Sequence, residues 1–398
     1  MFEPDTGAVL LTGATGFVGM EVLARYLEQG ERELILLVRS DSDRQADQRV
    51  QDVLLGLFGP EALRYGARVQ AVAADLTLPA LGLGAARREE LAERVTTIVH
   101  GAASVSFGLG LEQARAINVE GTRRMLELAR LAAARGAGLR RFGYVSTAFV
   151  SGAHAGAFSE HDLELGQRFH NSYEQSKFEA ESLVAETSDL PYTVLRPSIV
   201  VGDRETGWTA AFNVLYWPLR AIARGLLGVV PATFGSPVDV VSVDYVAAAI
   251  HALCEADAGL GQTFHLTEGR SASAIEEIAG AACGYFGQPF PEVLTPEEFA
   301  VATGIGTVSA SSGASSYFPY FSNATVFENA RTRAVLERLG IAPSPLRDYL
   351  ERLLDFAVAS RWGKAPITRH EASIRVQTPP AGGFAHPATC DALWNGGR

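Results

Sequence analysis

The sequence predicts an α/β fold, a doubly wound parallel sheet with a smaller, mostly helical C-terminal substrate domain. Seven apolar runs of strand length alternate with amphipathic segments of helix length, a pattern typical of parallel sheets with helices on both faces. Ligands of such sheets bind at the carboxyl ends of the strands. The predicted strands are Val9–Thr12, Leu34–Val38, Val69–Ala73, Thr97–Val99, Arg141–Val145, Tyr192–Leu195 and Thr263–Leu266.

Composition excludes several classes of protein. The chain of 398 residues is 47% hydrophobic and 20% charged, as expected of a globular protein that buries a core. Its net charge of -11 argues against nucleic acid as a partner, because phosphate binding needs clustered Lys and Arg. Cys254, Cys283 and Cys390 are too far apart to suggest a disulfide framework or a metal site. We therefore predict a cytoplasmic protein with no metal.

Neither an export signal nor a membrane span is predicted. The apolar run Ala8–Leu11 is too short for the core of a signal peptide and lacks a basic leader. Residues Ala210–Val230 are apolar, but Pro218, Arg220 and Arg224 interrupt them, and a central Arg is costly in lipid. This stretch predicts a helix that is soluble or makes peripheral contact with a membrane.

Pattern changes along the chain predict its domains. Residues 1–205, completed by about 236–268, form the predicted dinucleotide-binding domain. Residues 206–235 and 269–370 form the predicted substrate domain, where Ser309–Ser316 contains only Ser, Ala and Gly and predicts a mobile loop. Residues 371–398 lack periodicity and predict a poorly ordered tail.

A glycine-rich loop follows the first strand and precedes a helical pattern, the context of a Rossmann-type dinucleotide site. Glycines there permit a tight turn and a close approach of backbone to pyrophosphate, with the helix N-terminus facing the anion. A simple tight turn is the alternative. The candidate residues in this loop are Gly13, Thr15, Gly16, Phe17, Val18 and Gly19.

The end of the second strand bears on the choice of cofactor. Arg39 lies about twenty residues beyond Gly19, where an Arg binds the 2′-phosphate of NADP and an acid binds the ribose of NAD. This position favours NADPH. Asp41 and Asp43 lie close by and complicate the assignment, and a solvent-facing Arg39 is the alternative.

Two further strand ends carry candidate cofactor contacts. Asp75, followed by Leu76, is placed to accept a hydrogen bond from an adenine amino group, although an isolated Asp also caps turns. Ala102 and Ala103 follow the fourth strand, and small residues suit a backbone that passes close to a cofactor. His100 is either part of that site or a packed core histidine.

Three side chains predict the chemistry. Tyr173 and Lys177 lie four residues apart on one helix face, where the ammonium can favour the phenolate and lower the tyrosine pKa. Ser146 and Thr147 end the preceding strand and offer a hydroxyl for a substrate carbonyl oxygen. Adjacent strand side chains point in opposite directions, so one of the two faces the site, and we choose Thr147.

These motifs resemble the extended short-chain dehydrogenases, and more narrowly the fatty acyl-CoA reductase and thioester reductase group with male-sterility-type NAD-binding domains. The similarity covers about the first 210 residues and is looser in PYFSNATVFENARTRAVLERLGI near the C-terminus. The matching segments are LLTGATGFVG, LLVRS, DLTLPALGL, HGAASVSF, NVEGT, YVSTAFVSG, YEQSKFEAE and RPSIVVGDRETGW.

The resemblance implies roles for individual residues. Thr147 is the implied catalytic hydroxyl, Tyr173 the proton donor and Lys177 the residue that holds the nicotinamide ribose. Asn118 supports the lysine through water in such enzymes, with a helix N-cap as the alternative. The implied NADPH contacts are Gly13, Gly16, Gly19, Arg39, Asp75 and backbone near Ala102, with Pro197, Ser198 and Ile199 near the nicotinamide.

The resemblance also implies the reaction, the NADPH-dependent reduction of an acyl thioester to an aldehyde, with further reduction to an alcohol left open. The acyl group would arrive as a CoA or carrier-protein thioester in trans. Phe212, Tyr216, Trp217 and Trp208 could line an acyl tunnel, touch a membrane or form ordinary core. Alternatives are a dehydrogenase acting on an aldehyde, ketone, sterol or nucleotide sugar, and a regulator that binds NADPH without turnover.

Overall fold

The computed structural model describes residues 6–256, 259–303 and 315–377. Of the predicted loop Ser309–Ser316, residues 309–314 lie outside these ranges, as do residues 378–398 of the predicted tail. Only the described residues are considered below.

The strands include the seven predicted from the sequence and eight shorter ones. They are β1 Ala8–Thr12, β2 Leu34–Val38, β3 Val69–Ala73, β4 Val95–His100, β5 Arg141–Val145, β6 Gly156–Phe158, β7 Tyr192–Pro197, β8 Ile199–Val201, β9 Val229–Pro231, β10 Pro237–Val238, β11 Val240–Ser242, β12 Gln262–Leu266, β13 Ser273–Ala274, β14 Glu292–Leu294 and β15 Thr325–Phe327.

The α-helices connect these strands and dominate the C-terminal part. They are α1 Phe17–Gln29, α2 Asp43–Phe58, α3 Ala62–Gly66, α4 Ala85–Arg94, α5 Leu111–Ala133, α6 Ser172–Ala185, α7 Tyr216–Ala223, α8 Val243–Glu255, α9 Ile275–Phe286, α10 Pro296–Thr303, α11 Ala330–Leu336, α12 Leu350–Ala359 and α13 Arg369–Gln377.

Seven strands form one parallel sheet in the order β12-β7-β5-β4-β1-β2-β3. The fold prediction is confirmed, because these are the seven predicted strands. β1 and β2 are buried at every position, as expected of central strands covered by helices on both faces. The chain runs outward from β1 in one direction through β3 and from β4 in the other, so the topological switch point lies between β1 and β4.

Alternate side chains of the sheet enter different hydrophobic clusters. Val9 and Leu11 pack in a cluster with Leu23 of α1 and Ile250 of α8. Leu10, on the other face, packs in a cluster with Met125 of α5 and with α6. Because successive side chains of β1 point to opposite faces of the sheet, this one strand packs against the helices of both layers.

A third hydrophobic cluster forms outside the main sheet. It combines α7, α9 and α12 with residues such as Val150, Phe158 and Val201, which fall inside the predicted dinucleotide-binding range. The last part of that range therefore contributes side chains to the cluster beside the C-terminal helices.

The structure corrects two predictions, one about the length of a helix and one about the order of the C-terminal tail. Within the apolar stretch Ala210–Val230 the helix is limited to α7, Tyr216–Ala223, and the stretch ends in β9. Residues 371–377, predicted to be poorly ordered, belong to α13. Polar contacts explain this helix, because Arg369 pairs with Glu21 at 2.7 Å and with Glu28 at 2.9 Å. In the described part of the chain, no helix is both long enough and apolar enough to cross a membrane.

Candidate active site

The glycine-rich loop after β1 and the first turn of α1 leave no room for a side chain at Gly13 or at Gly19. A Cβ on Gly13, whose φ is +83°, would lie 2.8 Å from the Ala102 nitrogen. A Cβ on Gly19 would lie 2.0 Å from the Gly13 carbonyl oxygen. Gly16 is the N-cap of α1 and supplies no side chain to cap it, so N–H groups at this helix end remain available to an anion.

A cavity adjoins this loop at the switch point of the sheet. The loop, the helix N-terminus and the cavity together fit the pyrophosphate end of a dinucleotide. Phe17 starts α1, with its ring centroid 5.9 Å from that of Trp208, and Thr15 is half-buried in the loop. The residues lining the cavity are Leu11, Thr12, Ala14, Val18, Gly19, Val22, Val99, Gly101 and Val145.

The end of β2 leaves Arg39 exposed, beside α2. The neighbouring Asp43 is engaged elsewhere: its carboxylate accepts a 2.8 Å hydrogen bond from the Ala73 N–H and pairs with Arg87 at 3.3 Å. Asp41 is exposed. One of the two acids that complicated the assignment of Arg39 therefore has protein partners of its own.

The loop after β3 holds Asp75 in a turn. Its carboxylate accepts hydrogen bonds from the Thr77 N–H at 2.8 Å and hydroxyl at 2.7 Å, so it performs the capping role left open by the sequence. Although burial raises its pKa, these bonds and the charges of Arg39 and Arg124 lower it overall. Leu76 follows, and its carbonyl accepts a 2.7 Å hydrogen bond from Arg124.

Thr147 and Tyr173 meet at the carboxyl end of β5. Thr147 is the N-cap of a short 3-10 helix, where its hydroxyl accepts a 3.3 Å hydrogen bond from the Phe149 N–H, and it lies close enough to Tyr173 to lower the pKa of that phenol. Ser146 Oγ is buried and has no hydrogen-bond partner among the described residues. The structure thus brings Thr147, and not Ser146, to Tyr173. Burial raises the pKa of Tyr173 to about 12, the opposite of the expected direction, although Thr147 lowers it.

Lys177 lies one turn beyond Tyr173 on α6, but its hydrogen bonds point to β5. Nζ donates to the Tyr144 hydroxyl at 2.8 Å and to the Val145 carbonyl at 2.8 Å. Burial lowers its pKa to about 7, while the charge of Glu181 raises it. Tyr144 is a contact that the sequence analysis missed, since a tyrosine inside a buried strand carries no signal of its partner.

Asn118 lies in the middle of α5, which begins at Leu111, so the N-cap alternative is wrong. Its amide accepts a 2.8 Å hydrogen bond from the Ser104 N–H and donates at 2.9 Å to Ser176 Oγ. These contacts tie the loop after β4 to α6, on the turn that carries Lys177.

The remaining candidates lie at neighbouring strand ends. Ala102 donates its N–H to Thr12 Oγ1 at 3.0 Å, and Ala103 follows it in the loop after β4. Pro197 ends β7, where its carbonyl accepts a 3.4 Å hydrogen bond from Thr147. Ser198 is buried between β7 and β8, and Ile199 begins β8. All of these lie at the edge that also carries the glycine-rich loop.

Aromatic rings surround Tyr173 on the side of the C-terminal part. The Phe107 ring centroid lies 5.7 Å from that of Tyr173 and 5.4 Å from those of Tyr317 and Tyr320. Tyr320 donates a 2.6 Å hydrogen bond to the buried Glu174 carboxylate, which holds the segment against α6. We refer to Phe107, Tyr317 and Tyr320 as the aromatic wall.

Three of the four aromatic residues proposed from sequence for an acyl tunnel have partners other than the rings of the aromatic wall. Phe212 and Tyr216 pack together, with ring centroids 5.0 Å apart, in the third hydrophobic cluster. Trp208 is buried, and its indole donates to the Ile367 carbonyl at 3.1 Å. Trp217 contacts Phe318, with ring centroids 6.1 Å apart. Of the three roles predicted for these residues, packing in an ordinary hydrophobic core is the one that fits Trp208, Phe212 and Tyr216.

The sequence profile of the male sterility protein family, a family of NAD-binding domains, matches residues 11–250. The chain belongs to this family. It is 30% identical over 280 residues to the fatty acyl-CoA reductase wat of Drosophila melanogaster, a match covering 61% of this chain and 53% of the fly protein. It is 36% identical over 230 residues to an isonitrile lipopeptide synthase of Streptomyces coeruleorubidus, covering 57% of this chain and 15% of that protein. The chain thus spans about half the length of the fly relative and a small part of the synthase.

Solved structures agree with this family. The terminal R domain of the myxalamid PKS-NRPS biosynthetic pathway superposes with a TM-score of 0.77 and 27% identity, covering 92% of this chain and 94% of that domain. A UDP-glucuronic acid 4-epimerase from Bacillus cereus in complex with NAD has a TM-score of 0.63 at 16% identity, over 91% and 99% of the chains, which shows the shared fold alone. The family member described here is an NAD(P)-binding oxidoreductase of the extended short-chain dehydrogenase type.

Proposed function

We propose that this reductase uses NADPH to reduce an acyl thioester, delivered in trans on CoA or a carrier protein, to an aldehyde. The observation that carries the proposal is that Thr147, Tyr173 and Lys177 lie together at the carboxyl end of β5, at the sheet edge that holds the glycine-rich loop. The names of the fly reductase and of the R domain support a thioester or acyl substrate. A dehydrogenase of aldehydes, ketones, sterols or nucleotide sugars is the alternative.

The residues present fit a dinucleotide. We assign the pyrophosphate to the loop from Gly13 to Gly19, the 2′-phosphate to Arg39 and the adenine side to the turn of Asp75 and Leu76. Ala102 and Ala103 would pass beside it, and the segment from Pro197 to Ile199 would pack near the nicotinamide. Lys177 would hold the nicotinamide ribose. Bound there, the reduced nicotinamide supplies a hydride to the thioester carbonyl carbon.

Thr147 and Tyr173 would act on the carbonyl oxygen. Their hydroxyls would donate hydrogen bonds to the developing oxyanion and stabilise the transition state. Because its raised pKa keeps Tyr173 protonated at neutral pH, its phenol is a proton donor to that oxygen. The resulting hemithioacetal then breaks its carbon–sulfur bond, the hydroxyl proton passes to the sulfur, and aldehyde and thiol leave. A second reduction of the aldehyde to the alcohol would use the same hydroxyls.

The aromatic wall favours an apolar acyl group. Phe107 and Tyr317 are half-buried beside Tyr173, so they offer apolar ring surface next to the reacting carbonyl. We assign residues 206–235 and 269–370 to the substrate domain and residues 1–205 with 236–268 to the cofactor domain. The described cysteines, Cys254 and Cys283, are buried free thiols, which suits a cytoplasmic location.

Oxidation of NADPH by acyl-CoAs of increasing length tests the proposal. We expect absorbance of the reduced nicotinamide to fall with apolar acyl-CoAs, and kcat/KM to exceed that for polar acyl-CoAs of the same length about tenfold. Aldehyde is trapped and quantified as the product. Turnover with aldehydes or nucleotide sugars but with no thioester, on CoA or on a carrier protein, would contradict the thioester proposal. Binding of NADPH without turnover of any substrate would favour the alternative of a regulator that binds NADPH and catalyses no reaction.

Arg39 is expected to select NADPH over NADH. Arg39→Ala removes the cation assigned to the 2′-phosphate, so the Kd of NADPH should rise about tenfold while that of NADH changes little. Fluorescence of the bound reduced nicotinamide measures both. Arg123→Ala, at an exposed position on α5, is the matched control and should change neither Kd. An equal loss of affinity for both nucleotides would contradict the assignment.

A further inference from the structure

Lys177 lies beside a buried group of hydrogen-bonded side chains that reaches the glycine-rich loop. Its ammonium donates to the Tyr144 phenol, and the Tyr144 ring lies next to the His100 ring, with centroids 5.8 Å apart. Thr122 Oγ1 lies 3.1 Å from His100 Nε2, and His100 Nδ1 lies 2.7 Å from Thr12 Oγ1. All five side chains are buried residues of β1, β4, α5, β5 and α6.

The hydrogen bonds around His100 fix the direction of its protons. The Thr122 hydroxyl donates to the Asn118 carbonyl at 2.7 Å, so its oxygen accepts from His100 Nε2–H. His100 Nδ1, left without a proton, accepts from the Thr12 hydroxyl. The Thr12 oxygen accepts the 3.0 Å hydrogen bond from the Ala102 N–H.

This assignment requires a neutral His100. Burial lowers the pKa of His100 to about 3, and the charge of Lys177 acts in the same direction. The imidazole thus stays neutral at physiological pH, with one nitrogen as donor and the other as acceptor. A neutral His100 places no positive charge beside the Tyr144 ring.

We propose that Tyr144 is a positioning residue that holds the Lys177 ammonium in its charged form, and that the His100 ring, held by Thr122 and Thr12, packs beside the Tyr144 ring and keeps its phenol at Lys177. The inference deepens the proposed role of Lys177, which needs a charged and oriented ammonium to hold a ribose. It also links that lysine to Thr12, the residue directly before Gly13.

Other charged groups near Lys177 act less directly. Glu181 lies one turn further along α6, and its carboxylate is held by Arg196 of β7 at 2.6 Å. Tyr173 and His100 are neutral at physiological pH, because burial raises the pKa of the first to about 12 and lowers that of the second to about 3. The Tyr144 phenol and the Val145 carbonyl thus directly stabilise the ammonium, against the burial that lowers its pKa to about 7.

The chain contains two lysines, Lys177 and Lys364, which makes a direct test possible. Protein labelled with 13C at lysine Cε gives two NMR signals, and their chemical shifts against pH report the two ammonium groups without any turnover. Lys364 is exposed and serves as the internal reference. We expect Lys177 to titrate well below the ordinary range of a lysine, because burial lowers its pKa to about 7.

Tyr144→Phe removes the phenolic oxygen and keeps the ring. We expect the Lys177 titration to move about one pH unit lower, because one of two acceptors of its ammonium is lost. Thr122→Val should move it in the same direction by less. Tyr192→Phe, at the opposite end of the sheet in β7, is the matched control and should leave it unchanged.

An unchanged Lys177 titration in Tyr144→Phe would overturn the inference, as would a wild-type Lys177 that titrates together with Lys364. If the Lys177 titration moved in Tyr144→Phe but not in Thr122→Val, the proposed role of Thr122 and His100 would be wrong, while that of Tyr144 would stand. The Lys364 signal and the dispersion of the amide spectrum show whether each variant is folded. Since the readout needs no substrate, it can fail or succeed independently of the thioester reductase proposal.

Discussion

Replacing Tyr173 with Phe is expected to lower kcat for thioester reduction about a thousandfold, with the Kd of NADPH changed less than about threefold. The variant removes the proposed proton donor, which is also one of the two hydroxyls proposed to face the carbonyl oxygen. The ring, which packs against Phe107, is retained. Stopped absorbance assays give kcat, and nicotinamide fluorescence gives the Kd.

A tyrosine outside the site provides the matched control. Tyr65 is half-buried on α3, far along the sheet from β5, and Tyr65→Phe should keep full activity. If Tyr173→Phe retained wild-type kcat, the phenol would not be the proton donor. Thr147 alone would then have to polarise the carbonyl, and the proposed mechanism would be wrong.

Gly19→Ala is expected to destabilise the fold by about 1–3 kcal/mol and to raise the Kd of NADPH more than about tenfold. A Cβ at this position would lie 2.0 Å from the Gly13 carbonyl oxygen and 2.6 Å from its carbon, so the loop must separate from α1. That separation would displace the N–H groups assigned to the pyrophosphate. Urea unfolding and nucleotide titration measure the two effects.

A second glycine variant should have the opposite effect on stability. Gly56 lies within α2, and a Cβ there has no atom within 4 Å. Gly56→Ala should raise the free energy of unfolding by about 0.5–1 kcal/mol, because alanine loses less backbone entropy in a helix. If Gly19→Ala were as stable as Gly56→Ala and bound NADPH normally, the close packing of loop and helix would not matter for the site.

Much of the candidate site follows from patterns within a few residues of chain. The glycines from Gly13 to Gly19 and the hydroxyl at Thr147 were identified from their positions after predicted strands. Parallel strands end at the same edge of a sheet, so these positions were expected to converge, and the structure brings them to that edge. The alternation of side chains along a strand limited the site to one of Ser146 and Thr147, and the family resemblance implied Thr147.

Residues whose roles depend on distant partners were not predictable in this way. The sequence did not decide whether Asn118 is a helix N-cap or supports the lysine through water, because it does not show that α5 begins at Leu111. The helix α13 was missed because its contacts with Glu21 and Glu28 join positions more than 300 residues apart. The aromatic wall was missed because Phe107 and Tyr320 come from remote segments.

The sequence by itself determined the parallel sheet, the glycine-rich loop and the family, because strand periodicity and glycine spacing reflect local constraints on the backbone. Only the tertiary structure decided where the Lys177 ammonium lies. Its partner Tyr144 comes from another element, and the His100 ring beside Tyr144 is held by Thr122 of α5. Contacts of this kind exist only once the sheet and both helices have packed.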